Sequence, residues 1–370
     1  MKKIFIIFGI AVLSIVCIIL IGIAVIAINS PGKLEPLKDN EGNEIANSLA
    51  EKHFIEIGGV KQGFFLRSEN TKNPVILFLH GGPGSPELAM LYRYEIHERL
   101  EKYFTVCYWD QRGAGMSFSN SIDADTMTLE QMIDDTYQIS EYLKKRFNQE
   151  KIYIIGHSWG SLLGLKTIKK HPENYFAYIG IGQVTNQMKS EKLAYDYMLQ
   201  HAAEINDKSA VRNLEKFNKN ASDFPTSKYI ATVRSQLMNK YGIGIMHDDF
   251  SMAGLIKDIL FFKGYTFPEK LNYIRGMAFS QKHLWDYVVS ENLFESSISY
   301  RIPVYIAHGK YDYQVSYTLA REYFEMIEAP DKAFFTFEKS AHSPNGEEPE
   351  NFIQTVRLIA LQSAYSANSL

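Results

Sequence analysis

Only two cysteines, Cys17 and Cys107, occur in 370 residues, so no disulfide framework, CxxC pair or thiolate zinc site can be built. Excess positive charge is also missing. The chain carries 39 Lys and Arg against 42 Asp and Glu, a net charge of −3, with a sequence pI of about 6.4. That balance argues against a basic nucleic-acid footprint, and no nucleic-acid partner is expected. No GxxxxGK[ST] stretch is present to cradle phosphates. No HExxH helix is present to hold zinc, because His97-Glu98-Arg99-Leu100 is followed by Glu101. Neither a metal nor another cofactor is expected. Internal repeats and low-complexity tracts are absent too. With 46% hydrophobic and 22% charged residues, what remains is a globular chain able to bury a large core, which excludes a disordered or fibrous protein.

Residues 4–28 form a run of 25 positions without a charge, preceded by Lys2 and Lys3. At about 1.5 Å per residue such a helix crosses ~30 Å of hydrocarbon. A cleavable signal has a shorter apolar stretch, and residues 25–28 continue past the small residues at Gly22-Ile23-Ala24. No lipobox surrounds Cys17, which reads as a small apolar residue. The expectation is a single-pass membrane anchor with the N-terminus inside and the body outside, the alternative being secretion after cleavage. Residues 29–50 read as a solvated linker.

The body alternates strand and helix signals. Residues 53–57 and 63–67 flank Gly58-Gly59 and read as a hairpin. Continuous apolar runs at 74–80, 103–109, 151–156 and 175–182 read as buried strands, as do 302–309 and 333–338. Helical patterns cover 86–102, 158–171, 316–327 and 349–362. Another runs from a capping box at Thr128-Leu129-Glu130-Gln131 to about Phe147. This alternation implies an α/β fold: a mostly parallel sheet with helices on both faces. From 185 to 299 helical stretches run without a convincing strand, as expected of a helical cap inserted between two sheet strands. The expected divisions are an anchor at 1–28, a linker at 29–50, core at 51–184, cap at 185–299 and core again at 300–370.

Gly156-His157-Ser158-Trp159-Gly160 falls between a buried strand and a helix. Glycines permit the sharp turn that lifts a serine hydroxyl above the sheet, and the new helix aims free N–H groups at developing negative charge. A serine nucleophile needs a base and an acid, which in this architecture follow it in the order acid, then histidine. Six of the ten histidines lie downstream of Ser158. Asp312 sits just past a strand end, and beyond it the only histidine is His342, itself on a loop leaving a strand. His308 reads as strand-end packing. The oxyanion formed in acyl transfer needs N–H donors, each worth about 2.7–4 kcal/mol. Trp159, the residue after the nucleophile, supplies one. The loop His80-Gly81-Gly82-Pro83-Gly84 supplies the other, with Gly82 the first choice and Gly81 the second.

His80-Gly81-Gly82-Pro83-Gly84, Trp109-Asp110-Gln111-Arg112-Gly113, Gly156-His157-Ser158-Trp159-Gly160, Asp312 and Ser340-Ala341-His342-Ser343-Pro344 together resemble the proline iminopeptidase family, over about residues 50–360. The resemblance implies an α/β-hydrolase fold and a serine aminopeptidase that removes an N-terminal residue, typically proline, from a small peptide. It implies Ser158 as nucleophile, His342 as base and Asp312 as its orienter, with Asp110 and Arg112 holding the walls. The family's cap also supplies carboxylates for the substrate's free amine. Glu191 is the best-placed candidate here, followed by Asp196 and Glu204. An esterase or amide hydrolase on the same machinery stays open, as does an inactive surface binding module. The oligomeric state is not legible.

Overall fold

The computed structural model describes residues 2–39, 41–91, 96–248 and 250–367. Helix α1 spans Lys2–Ile28. Strands β1 (Leu49–Ile57) and β2 (Val60–Ser68) form the expected hairpin, followed by β3 (Val75–Leu79) and the short helices α2 (Leu88–Leu91) and α3 (Ile96–Tyr103). The helical pattern read over 86–102 falls on these two helices, and its positions 92–95 lie outside the described residues. Strand β4 (Thr105–Trp109) leads to α4 (Leu129–Phe147), β5 (Ile152–His157), α5 (Trp159–Lys170) and β6 (Tyr175–Ile181). Only half of the expected capping box forms at α4. The Thr128 hydroxyl accepts from the Gln131 N–H at 3.1 Å, whereas the Gln131 amide turns to donate to the Asp135 carboxylate at 2.8 Å.

After β6 come α6 (Gln187–Glu204), α7 (Lys208–Leu214), α8 (Ser227–Tyr229), α9 (Ser235–Lys240), α10 (Met252–Phe261), α11 (Phe267–Ser290) and α12 (Leu293–Ser296). Among the described residues no strand interrupts them. Residues from α6 to Ile243 close a small core of their own, built on Tyr195, Met198, Phe224 and Tyr229. The sheet resumes with β7 (Val304–Gly309), α13 (Tyr317–Met326), β8 (Lys332–Phe337), α14 (Pro344–Glu347) and α15 (Pro349–Ala367).

All eight strands share one sheet in the order β1-β2-β4-β3-β5-β6-β7-β8. Strand β1 pairs antiparallel with β2, and β2 with β4; from β4 to β8 every pairing is parallel. Side chains two apart face the same side of a strand, so successive residues feed two cores. Leu77 and Leu79 of β3 join Ile154 of β5 and the residues of α4 and α5 on one face. On the other, Ile76 and Phe78 join Tyr153, Ile155, α3 and α15. Both faces of the central strands are therefore buried, which is why they read as unbroken apolar runs.

Register sets the site. Leu79 pairs with Gly156, His157 with Ile181, Ile181 with Ala307 and Gly309 with Phe337. The C-terminal ends of β3, β5, β6, β7 and β8 thus finish along one edge, and the loops leaving them converge.

The segment after α1 is mostly exposed, but its first residues are fastened to the body. Ser30, Leu34 and Leu37 are buried, and Leu34 packs with Phe262 and Tyr265 in the second core cluster. Pro31 bridges to Thr266, and the Gly32 and Lys33 N–H groups donate to the Lys263 carbonyl. Two leucines contributing about 1.5–3 kcal/mol each on burial suffice to fasten it. Strand β1 likewise starts at Leu49, four residues before the start read from the sequence, because β2 offers it a nine-residue partner.

Candidate active site

Ser158 stands between β5 and α5 with φ 55° and ψ −119°, a conformation that L-residues adopt only when their surroundings impose it. Its N–H donates to the Ile181 carbonyl at 2.9 Å. The Ser161 hydroxyl ties the Ser158 carbonyl at 2.6 Å. Gly160 is required because any Cβ there would collide with the Leu79 carbonyl oxygen. Trp159 opens α5, so its N–H belongs to the first turn, which has no intrahelical partner. Its indole donates to Gln111 Oε1 at 2.9 Å.

The loops after β7 and β8 bring Asp312 and His342 together. His342 Nδ1 lies 2.7 Å from Asp312 Oδ2, and both side chains are buried. The ring packs over Gly182, whose φ is +53° and where a Cβ would sit 2.8 Å from Cε1 and Nδ1. His342 Nε2 is buried with no hydrogen-bond partner among the described residues. Burial lowers the His342 pKa below its ordinary 6.5, against the pull of Asp312. For Asp312, burial alone would raise the pKa. The neighbouring imidazoles of His342 and His308 overcome it and hold the carboxylate well below the usual range.

His308 does more than pack. Its Nε2 is 3.0 Å from the Val315 carbonyl and 3.1 Å from Asp312 Oδ2. Its Nδ1 accepts from the Gln183 N–H at 3.2 Å. With Nδ1 accepting, the proton sits on Nε2, so Asp312 faces N–H groups from two histidines.

The glycine loop lies directly on the turn. A Cβ on Gly81 would be 3.1 Å from Ser158 Cβ. The Gly81 N–H donates to Glu87 Oε1 at 2.9 Å and is therefore committed. The Gly82 N–H meets no acceptor among the described residues. His80 is held through Nδ1 to the Gly81 carbonyl and through Nε2, which accepts from the Gln111 N–H. Burial pushes its pKa down to about 4, so it is neutral.

Glu87 is missed altogether in the sequence, and His157 and Gln111 stand within their motifs there without an assigned role. His157 Nδ1 lies 2.7 Å from Glu87 Oε1 and Nε2 lies 2.9 Å from the His342 carbonyl. Two acceptors demand N–H on both ring nitrogens, so His157 is an imidazolium. Burial opposes its charge, but Glu87 outweighs burial and the pKa rises. Burial likewise opposes the Glu87 charge, yet His157 brings that pKa down. This buried pair joins the glycine loop, the serine turn and the His342 loop.

Asp110 and Arg112 do not pair with each other. Asp110 accepts from the Met116 N–H and from the Tyr265 hydroxyl, both at 2.9 Å, and burial pushes it up to about 7. Arg112 binds Asp135 at 2.7 Å and the Gly58 carbonyl at 2.8 Å.

The expectation for Glu191 needs correcting. Both of its carboxylate oxygens are taken, one by Arg234 Nε at 2.6 Å and the other by the Gln187 amide at 2.7 Å. Its side chain is fully buried. Arg234 and Gln187 both reach on to the Gln314 carbonyl, so the cluster braces the Asp312 loop rather than presenting a free charge. Asp196 pairs with Lys219, and Glu204 accepts from Gln200 at the exposed end of α6. Near the His342 loop, whose N–H at 342 donates to the Gly244 carbonyl, a small hollow of about 10 Å³ is lined by Met90, Ile245, Met246, Phe250 and Leu255 together with the polar Ser251 and Asp258.

A sequence profile described as the alpha/beta hydrolase fold matches residues 74–349. The protein named "Probable aminopeptidase YbaC" of Bacillus subtilis (strain 168) is 34% identical over 314 residues, covering 84% of this chain and 96% of its own. The proline iminopeptidase of Heyndrickxia coagulans is 23% identical over 308 residues, covering 82% and 96%. Among solved structures, a proline iminopeptidase of Mycobacterium smegmatis superposes with a TM-score of 0.64. Its identity is 15%, and the match covers 86% of this chain and 100% of that one, a likeness of fold. The chain belongs to the α/β-hydrolase fold family, as a hydrolase whose homologues include proteins named aminopeptidase and proline iminopeptidase.

Proposed function

We propose that the chain is a serine aminopeptidase that releases an N-terminal residue, proline for preference, through an acyl-enzyme on Ser158. The observation that carries this reading is the His342–Asp312 contact at 2.7 Å, with His342 Nε2 left unpartnered at the sheet edge where Ser158 stands. The Ser158 hydroxyl attacks the carbonyl carbon of the first residue while Nε2 takes its proton. Asp312 holds Nδ1–H and stabilises the imidazolium that forms. The oxyanion receives the Gly82 and Trp159 N–H groups. His342 then protonates the leaving amine, and water, activated by the same nitrogen, frees the acyl group. Residues 185–299 act as the cap over this edge, between the core portions 51–184 and 300–370. Helix α1 anchors the enzyme, with its 24-residue apolar stretch from Phe5 to Ile28 spanning the bilayer and the catalytic body outside.

A second reading, an acyl esterase, gains from one observation: Glu191 is neutralised by Arg234, so the simplest reader of a free ammonium is already engaged. Amino-acyl arylamides with free and acetylated N-termini, compared with short-chain esters, separate the two. A charge-assisted contact to the amine, worth about 1.5–3 kcal/mol, favours free over acetylated prolyl arylamide by roughly 10- to 150-fold. Equal cleavage of the two selects the esterase. Glu191→Gln is expected to lower arylamide and ester turnover by the same factor, because it loosens the Asp312 loop. A selective loss on free-amine substrates would return Glu191 to the role of amine reader.

The acid limb of activity follows from His342. The base must be neutral, a form present above its pKa and lost as pH falls through it. Because burial lowers that pKa, kcat/KM should hold through pH 6.5, the ordinary histidine value, and inflect below it. Glu347 tests the assignment. It accepts from the Ala341 N–H at 2.9 Å, and burial pushes it up to about 7. Glu347→Gln should leave the inflection in place. An inflection near 7 that vanishes in this variant would show that loop protonation, and not the base, limits the rate.

A further inference from the structure

The end of α1 is fastened to one particular place on the body. The Lys270 ammonium, at the start of α11, donates to the Asn29 carbonyl at 3.0 Å and to the Ser30 hydroxyl at 2.8 Å. Its third bond goes to the Leu260 carbonyl at the end of α10, at 2.6 Å. All three donors of a lysine are thereby used. The apolar helix thus ends where α10 and α11 meet, and the packed segment around Leu34 prevents free swivelling.

Around that junction the surface is unusually apolar. Met252, Ile256 and Phe261 on α10, with Leu271, Ile274 and Met277 on α11, are between 38% and 58% exposed. At about 1.5 Å of rise per residue, Met252 lies roughly 12 Å along α10 from Leu260, and Met277 roughly 10 Å along α11 from Lys270. Lys257 and Arg275 are exposed among them. Apolar side chains interleaved with long basic ones suit the boundary between acyl chains and phosphate headgroups, where the stems of Lys and Arg lie against the lipid and their charges reach outward.

We propose that the outer faces of α10 and α11 form a lipid-contacting surface seated in the headgroup region of the leaflet from which α1 emerges. The inference rests on α1 spanning the bilayer. Its consequence concerns the active site, because α11 also packs on the oxyanion loop. A Cβ on Gly84 would lie 2.9 Å from Ser280 Oγ, and the Ser280 hydroxyl donates to the Gly113 carbonyl at 3.0 Å. The same Cβ would lie 3.1 Å from Met277 Cα, so the exposed edge of α11 borders the glycine loop, and the substrates favoured are peptides held at the membrane surface.

Tryptophan fluorescence in the full-length chain, reconstituted into phosphatidylcholine–phosphatidylglycerol vesicles with and without brominated acyl chains, tests this. The signal of the three native tryptophans is subtracted. Ile256→Trp and Ile274→Trp should be quenched roughly twofold by bromine near the top of the chains, as befits residues seated ~5–10 Å into the boundary. Ile205→Trp, on the separate small core of the inserted helices, should not be quenched. Ile15→Trp reports on α1 itself. Quenching at Ile15→Trp without quenching at positions 256 and 274 overturns the docking surface and leaves the anchor standing. No quenching at any of the three overturns both. A chain that dimerises through this face, with dissociation by Ile274→Glu and no quenching, replaces lipid by a second copy and overturns the proposal as well.

Discussion

Ser158→Ala is expected to lower kcat on the order of 10⁴- to 10⁶-fold, the range for removing a nucleophile while binding and the oxyanion hole survive. At 1.36 kcal/mol per factor of ten this is about 5–8 kcal/mol of transition-state stabilisation. Stability should scarcely change. The turn is held by the Ser158 backbone, through its N–H to Ile181 and its carbonyl to Ser161. Alanine keeps the same Cβ in the same φ, so it inherits the same strain. A fluorophosphonate should label the parent chain once and the variant not at all. Labelling that persists in Ser158→Ala, or a variant that keeps a tenth of its turnover, would move the nucleophile elsewhere. The double variant with His342→Ala should lose little more than either single one, because the two groups act as one unit.

The parts of the site legible in the sequence are those encoded locally. A glycine-flanked serine between a strand and a helix is a five-residue signal, and the register of a parallel sheet carries it to the same edge as Asp312 and His342. The strands were legible because burial on both faces leaves unbroken apolar runs. The partners of charged groups were not. Glu191 and Arg234 are 43 positions apart, Glu87 and His157 are 70 apart, and Lys270 and Ser30 are 240 apart. No periodicity links such pairs; only the tertiary fold does. That is why Glu191 reads as a free carboxylate in one dimension and is a neutralised brace in three. A related reason hides the fastening of residues 29–37. Leu34 and Leu37 are too sparse to register as an amphipathic element, yet a pocket on the body takes Leu34.

His308 shows the same limit at closer range. It stands four residues before Asp312, at the end of β7, yet its contact with Asp312 Oδ2 at 3.1 Å depends on how the chain turns after that strand. Two imidazole N–H groups on one carboxylate keep Asp312 ionised in a place where burial alone would protonate it. The Asp312 carboxylate is thus stabilised from both sides, while the His157–Glu87 pair holds the backbone on which His342 is mounted.

The two buried charge pairs should respond differently to losing their carboxylates, and the difference follows from the cation. Asp135 receives Arg112 Nε at 2.7 Å and Nη2 at 3.0 Å, with both side chains fully buried. The Gln62 and Gln131 amides use its remaining capacity. Arginine cannot shed its proton in a protein, so Asp135→Ala strands a full charge in the interior and should cost about 3–5 kcal/mol, read from urea unfolding. Histidine has a way out. In Glu87→Ala the His157 ring can become neutral, leaving chiefly an unsatisfied Gly81 N–H and ring nitrogen, at about 1–3 kcal/mol. Activity should rank the other way. Arg112 and Asp135 brace the β1–β2 turn through Gly58, away from the reacting groups, so folded Asp135→Ala should retain most of its kcat. Glu87→Ala frees Gly81, which lies against Ser158, and should lower kcat even where it is fully folded, with Glu87→Gln restoring part of the loss by offering the same Oε1 acceptor. If Glu87→Ala proves the less stable of the two, His157 is not acting as a titratable cation, and the imidazolium assigned to it is wrong.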